Sequence, residues 1–185
     1  MPRIIHVYEI PERWIVGTVG EPGDRSFFIQ AKHGRRLISI AIEKSQVAAL
    51  IERMNFLLRE IKRENPHLLS KPLPMDSNPL ENPIMEEFVV GVIGLIWLAE
   101  KEMISIEFQA IDQSLQSDDN GEIEFLGEDE NGPDLLRIIV NPAQAQSFTV
   151  RATSLLSAGR PPCTFCGLPL NIGGHVCPRA NGYRR

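Results

Sequence analysis

Two stretches of the sequence, LISIAIEKSQVAALIERMNFLL (37–58) and LLRIIVNPAQAQSFTVRATSLL (135–156), align without a gap. Each begins with a run of apolar and β-branched residues and continues into residues with helical spacing. Each therefore predicts a strand that leads directly into a helix. The identical aligned pairs are Leu37 with Leu135, Ile40 with Ile138, Gln46 with Gln144, Arg53 with Arg151, Leu57 with Leu155 and Leu58 with Leu156.

Two shorter matches precede these stretches in the same order. IVGTVG (15–20) resembles VVGVIG (89–94), and FFIQA (27–31) resembles IEFQA (106–110). Three matches in one order indicate an internal duplication. We therefore predict an α+β fold with two strand-strand-strand-helix halves, in which one continuous sheet or two pseudo-symmetric sheets pack on two helices. The segment RIIHVYEI (3–10) alternates apolar and polar residues and predicts an extra edge strand.

The sequence also predicts where the helices begin. In the second half, Asn141 is an N-cap residue and Pro142 suits the first helical position. In the first half we expect Ser45 to cap, with a start at Lys44 as the alternative. Equivalent glutamines stand in the FFIQA and IEFQA strands (Gln30 and Gln109); they form either a symmetric polar pair or outward-facing positions, and we favour the second.

The chain divides into four parts on this interpretation. Residues 1–66 form the first half with the N-terminal strand, and residues 67–86 form a proline-rich linker. Residues 87–158 form the second half, and residues 159–185 form a metal-binding basic tail. The second half contains an acidic loop (112–134) that has nine acidic residues and no basic one.

Composition predicts a soluble globular protein. The chain has 185 residues, 43% of them hydrophobic, and a net charge of −5. The most apolar run, FVVGVIGLIWLA (88–99), is too short to span a bilayer as a helix, so we interpret it as a buried strand. No signal-peptide pattern is present, and three cysteines within residues 163–177 do not make a disulfide framework. These features favour a cytoplasmic location and no membrane association.

The strongest motif is C-x2-C-x8-H-x-C, formed by Cys163, Cys166, His175 and Cys177. Thiolate and imidazole groups in this number suit a tetrahedral zinc ion. Gly167 follows the second cysteine, where a tight knuckle often needs a positive φ. Four ligands can close the shell and no acidic residue occurs from 159 to 185, so we predict a structural Zn²⁺ site. The alternatives are a redox Cys-x-x-Cys pair and a disordered tail with incidental cysteines.

The tail also contains a basic group of residues without any acid. Arginine and tyrosine together suit phosphate, RNA or an acidic partner. The alternative is a solvated tail, or a tail that docks on the acidic residues 118–134 of the same chain. The candidate binding residues are Arg160, Arg179, Asn181, Tyr183, Arg184 and Arg185.

Several segments resemble one uncharacterised bacterial family. GTVGEPG, NPAQAQSF, AGRPPC and CGLPLNIGGHVCPRANGYRR are similar to segments of a mainly actinobacterial family, domain of unknown function 3090. The resemblance covers nearly the whole chain. It implies an association with a histidine-phosphatase-like and a lipid-kinase-like protein, and hence a phosphate-related pathway, but it implies no established activity.

Three functions fit these features. We favour a non-enzymatic, zinc-stabilised adaptor that binds a partner protein or a phosphorylated ligand. The second is an enzyme of phosphate or nucleotide metabolism with a site between the two halves, which predicts a pocket lined by carboxylates or histidines from both halves. The third is nucleic-acid binding through the zinc knuckle and the arginine-rich tail. We assign no catalytic residue, and the sequence leaves the oligomeric state open.

Overall fold

The computed structural model describes residues 3–69, 71, 73–111, 132–159, 162–168, 170 and 174–179. Two 3₁₀ turns, Pro66–Leu69 and Ala99–Lys101, accompany its strands and helices. The strands and helices in chain order are β1 (Ile5–Glu9), β2 (Arg13–Val19), β3 (Ser26–His33), β4 (Arg36–Ile42), α1 (Lys44–Glu64), β5 (Glu86–Leu98), β6 (Met103–Ala110), β7 (Leu135–Val140) and α2 (Pro142–Ser157).

All seven strands form one sheet in the order β1-β7-β6-β5-β4-β3-β2. The predicted α+β class is confirmed, and of the two arrangements considered the continuous sheet is the observed one. Each half contributes three sequential antiparallel strands and then a helix, and the halves meet where β4 pairs with β5 in parallel. The additional strand β1 lies at an edge, parallel to β7.

The sheet is strongly curved, because its two edge strands are consecutive in the chain. Only residues 10–12 separate β1 from β2, and such a connection reaches about 15 Å at most. A flat sheet would place edge strands six spacings apart at about 29 Å. Contacts between β4 and β1 show that the two sides of the sheet approach each other. At the start of β4, the Arg36 Nη2 donates to the Val7 carbonyl at 3.2 Å, and its guanidinium lies 4.6 Å from the Tyr8 ring centre.

The core lies between one face of this sheet and both helices. The apolar side chains that α1 carries at helical spacing form one stripe that is buried there, and Phe148 and Ala152 of α2 join the same cluster. Among the described residues, no helix is long and apolar enough to cross a bilayer. The buried apolar side chains of α1 are Val47, Leu50, Ile51, Met54, Leu58 and Ile61.

The two helices begin in the same way. At α2 the Asn141 Oδ1 accepts from the Gln144 amide at 2.8 Å, and the Gln144 Oε1 accepts from the Asn141 amide at 3.2 Å. At α1 the aligned Gln46 Oε1 accepts from the Glu43 amide at 3.0 Å. The cap at Asn141 is confirmed. The prediction that Ser45 caps α1 is wrong, and the alternative, a start at Lys44, is confirmed. Glu43 is the N-cap, and Gln46, three residues after it, reaches back to its amide.

Residues 73–83, which we call the strap, cross the edge of the sheet at β2. On the helix side, Ser147 of α2 donates to the Pro74 carbonyl at 2.9 Å. On the opposite face, the strap places Leu80 against Gly17, where a Cβ atom at Gly17 would lie 2.4 Å from the Leu80 Cγ. The strap therefore covers an edge strand that would otherwise be open to pairing with other chains.

The two glutamines in equivalent strands point away from the helices, as the outward-facing interpretation predicts, but they are buried there and not exposed to solvent. Gln30 is 2% exposed and Gln109 is 0% exposed. Gln30 forms paired hydrogen bonds with the Glu81 backbone, accepting at 2.8 Å and donating at 3.0 Å. The strap thus satisfies a polar group that the sheet pattern places on its second face.

Candidate metal centre and other candidate sites

The four predicted ligands lie together. The ligand atoms of Cys163, Cys166, His175 and Cys177 are all within 4.8 Å of one another. The Cys163 and Cys177 sulfurs are 3.9 Å apart, and the Cys166 Sγ is 3.2 Å from the His175 Nε2. Around zinc, bonds of about 2.3 Å to sulfur and about 2.0 Å to nitrogen give tetrahedral edges of about 3.5 to 3.8 Å. The donor set and its spacing therefore fit a tetrahedral ion.

A tight turn brings the first two cysteines together. The Gly167 amide donates to the Cys163 carbonyl at 2.8 Å, and the Cys163 amide donates to the Leu168 carbonyl at 2.7 Å. Gly167 has φ +75°, as predicted for this position, and Gly174 has φ +79° just before the histidine. Left-handed backbone is easily adopted by glycine, so these two positions let the chain reverse around the ligands.

The turn also prepares one sulfur for metal binding. Amides of Cys166 and Phe165 point at the Cys163 sulfur and lower the pKa of that thiol. Burial, reinforced by the neighbouring sulfurs, raises the pKa of Cys166. Crowded thiols resist ionising together, and a bound cation removes that obstacle. The site can therefore do what a metal knuckle does, which is to hold one soft cation in a closed shell.

The predicted basic binding group is only partly described. Arg160, Asn181, Tyr183, Arg184 and Arg185 lie outside the described residues. Arg179 is exposed beside the knuckle, and its Nη1 donates to the Phe165 carbonyl at 3.3 Å. Of the acidic loop only residues 132–134 are described, so docking of the tail on that loop stays a prediction.

A buried arginine that we did not predict as functional holds the strap. Arg151 of α2 donates from Nε to the Val16 carbonyl at 2.7 Å, from Nη2 to the Asn78 carbonyl at 2.8 Å and from Nη1 to the Asp76 carbonyl. No sequence pattern distinguished Arg151 in advance. The residue at the aligned position of the first half, Arg53, is exposed. Three different carbonyl partners show that this arginine acts as a structural latch between helix, strand and strap.

A carboxylate completes this latch. Asp76 accepts from Arg13 at 2.6 Å and 3.2 Å through its two oxygens. The Arg13 hydrogen bonds, helped by the Asn78 amide, hold the pKa of Asp76 below its usual value against the opposing effect of burial. Burial also lowers the pKa of Arg151, which Asp76 partly offsets. These displaced pKa values are explained by the packing of the strap, so they do not mark a catalytic site.

Two open depressions lie where residues of the two halves meet. One runs between α1 and β5 and has a volume of about 680 Å³; Glu52 is the carboxylate in its lining. The other lies at the start of α1, with about 820 Å³, and includes Glu43 and Glu86. Neither lining contains a histidine. The second depression therefore brings together carboxylates of both halves, Glu43 and Glu86, whereas the first has the single carboxylate Glu52.

The described fold and site define a single-sheet α+β protein with a C-terminal cluster of three cysteines and a histidine. The chain belongs to the family described as Protein of unknown function (DUF3090), whose model matches residues 6–177 and so ends at the last cysteine of the cluster. No curated protein and no solved structure matches the chain.

Proposed function

We propose that the protein is a non-enzymatic binding protein whose C-terminal cluster holds one structural zinc ion. It binds a partner protein or a phosphorylated ligand, in a bacterial cytoplasm where the thiols stay reduced. The observation that carries the proposal is the arrangement of four ligand atoms within 4.8 Å of one another, which leaves zinc no protein-free position for a reacting water.

The metal would act by fixing the tail. Before the cluster the chain leaves α2 at Ser157, and after it the chain continues into Arg179 and the four residues Asn181, Tyr183, Arg184 and Arg185. Zinc with three thiolates carries one net negative charge, which Arg179 beside the knuckle can offset. A closed clasp of this kind would hold Arg179 in a defined place, as binding of a phosphate group or an acidic partner requires.

The duplication of the halves is part of the same proposal. The aligned glutamines Gln46 and Gln144 perform the same task at the two helix starts, and the two sets of three strands follow one another in the sheet. Such correspondence supports a common origin. The enzyme alternative has less support, because neither depression contains a histidine, although one of them brings together Glu43 and Glu86 of the two halves.

Metal analysis tests the first part of the proposal. Protein purified without a chelator should contain one zinc per chain, and Cys163→Ser or Cys166→Ser should lose it. Thr164→Ala, an exposed position between these ligands, is the matched control and should retain it. Zinc-free protein, or full zinc in both cysteine variants, would refute the structural site.

Binding and activity assays test the second part. The zinc-loaded full chain should capture a specific partner protein or bind a phosphorylated ligand, and zinc removal should weaken that binding. We expect no hydrolysis of phosphate esters by the purified protein. Hydrolytic activity together with the lack of any specific partner would reject the adaptor function, whatever the metal content.

A further inference from the structure

The groove between α1 and β5 is a place where the core face of the sheet is left open. On β5 the side chains of Ile93, Leu95 and Trp97 point to the core face, because they pair with core residues of β6. They are nevertheless only half-buried. The two adjoining parts of the groove, about 680 Å³ and about 390 Å³, share Leu95 as part of their floor.

The wall of the groove is one face of α1, adjacent to its buried stripe. Ala49, Arg53 and Phe56 recur there at three- and four-residue spacing, and Phe56 is 60% exposed. The lining begins at Gln46 and ends at Arg59. At 1.5 Å per residue this is about 20 Å of helix. The groove therefore has an apolar floor on β5 and is about as long as a helix of four turns.

The charges beside the groove favour an acidic occupant. Arg53 lies in both parts of the groove, and Arg59 lies 5.9 Å from the Phe56 ring centre. Among the described residues neither arginine is paired with a carboxylate, whereas Arg63 of the same helix pairs with Glu60 at 2.6 Å. Glu52 is the single carboxylate in the lining, so the rim is cationic on balance even though the whole chain is acidic.

We propose that this groove binds an amphipathic helix of a partner protein. The apolar face of that helix would contact Leu95 and Trp97, and its flanking carboxylates would pair with Arg53 and Arg59. Recognition of this kind needs apolar residues at helical spacing on the ligand and a groove between elements on the receptor. The proposal deepens the binding function by naming a surface and a class of partner, and it does not depend on the metal.

A synthetic peptide provides the test. The probe is a labelled 14-residue helix with leucines along one face and glutamates on both flanks, and its matched control carries lysines in place of the glutamates. Fluorescence anisotropy should show saturable binding of the acidic peptide to the full chain. The lysine peptide should bind at least about tenfold more weakly. Trp97 fluorescence should change on binding, whereas the signal of buried Trp14 should not.

Variants locate the binding. Phe56→Ser and Arg53→Glu should each weaken acidic-peptide binding by about fivefold or more, and Arg53→Glu should reduce the preference for glutamate over lysine. Arg63→Glu, which changes the same charge outside the groove, should leave binding unchanged. Cys163→Ser should also leave it unchanged, so failure of the metal site and failure of the groove are separate results.

Three outcomes would overturn the proposal. One is the lack of saturable binding, and another is equal binding of the acidic and basic peptides. The third is a homodimer in sedimentation that Phe56→Ser dissociates, because a second copy of the chain would then be the occupant.

Discussion

Strands β2 and β5 are the first strands of the two halves, and their burial is the reverse of what their positions suggest. β2 is an edge strand, yet its central residues from Trp14 to Gly17 are buried. β5 is the fourth of seven strands and the longest, yet Val90 is its single buried residue. The prediction that FVVGVIGLIWLA forms a strand is confirmed. The prediction that this strand is buried is wrong, because most of its residues are only half-buried.

The difference comes from what other parts of the chain place on each strand. On the core face of β2, Trp14 stacks on Phe148 of α2 with ring centres 4.0 Å apart. On the opposite face the strap places Leu80 against Gly17. On β5, α1 leaves Leu95 and Trp97 half-covered. The side chains of a strand are therefore buried by the elements that pack on its two faces. A central position in the sheet provides hydrogen-bond partners for its backbone only.

The two tryptophans give the largest expected contrast. Trp14→Ala should lower the free energy of unfolding by about 4 kcal/mol, because it empties a stacked, buried site. Trp97→Ala should cost about 1 to 2 kcal/mol, because its side chain is already partly solvated. Urea unfolding measures both. Equal losses would mean that β5 is as well covered as β2.

The aligned arginines give the next contrast. Arg151→Met should lower stability by about 3 kcal/mol, since it leaves carbonyl groups of β2 and the strap without their donor. Arg53→Met should change stability by no more than about 0.5 kcal/mol, because Arg53 is exposed. The pair is its own control, because the two arginines stand at aligned positions of the two halves. A large loss in Arg53→Met would contradict the view that only Arg151 has a structural role.

Gly17 tests the cover on the second face of β2. Gly17→Ala should cost about 2 kcal/mol, because the new methyl group would displace Leu80 and with it the strap. Leu80→Ala removes the clashing side chain, so the effect of Gly17→Ala should become small in that background. A double-mutant cycle of unfolding free energies gives the coupling. Additive effects would show that Leu80 does not press on this glycine.

The smallest expected effect is the pH dependence of the latch. Because the folded pKa of Asp76 lies below its unfolded value, its ionised form stabilises the fold above about pH 4. That stabilisation disappears as the pH falls through the folded pKa. Asp76→Asn should cost about 1 kcal/mol at pH 7 and less below pH 4.

Stability measured from pH 7 to pH 2 checks this expectation. Asp24→Asn, at an exposed turn position, is the control and should run parallel to the parent protein at every pH. A constant difference between Asp76→Asn and the parent down to pH 2 would show that the carboxylate charge plays no part in the latch.

Local patterns predicted the elements and the cluster well. The aligned strands and helices are present, Asn141 caps α2, and the three cysteines and the histidine of the motif lie together. Each of these depends on residues close in sequence. The error at Ser45 is also local, because a glutamine three residues after Glu43 could have identified the true cap. The burial of Gln30 could not be predicted from local patterns, since the strap that buries it begins some forty residues further along the chain.

The sequence by itself determined the strands, the helices, the order of the two halves and the ligand set of the cluster, because periodicity and spacing act over a few residues. Only the tertiary structure decided that seven strands make one curved sheet, that the strap crosses its edge and that a groove stays open along β5. These features depend on contacts such as Arg13 with Asp76, 63 residues apart. No local pattern encodes such a contact, since which face a distant segment covers is settled only when the whole chain packs.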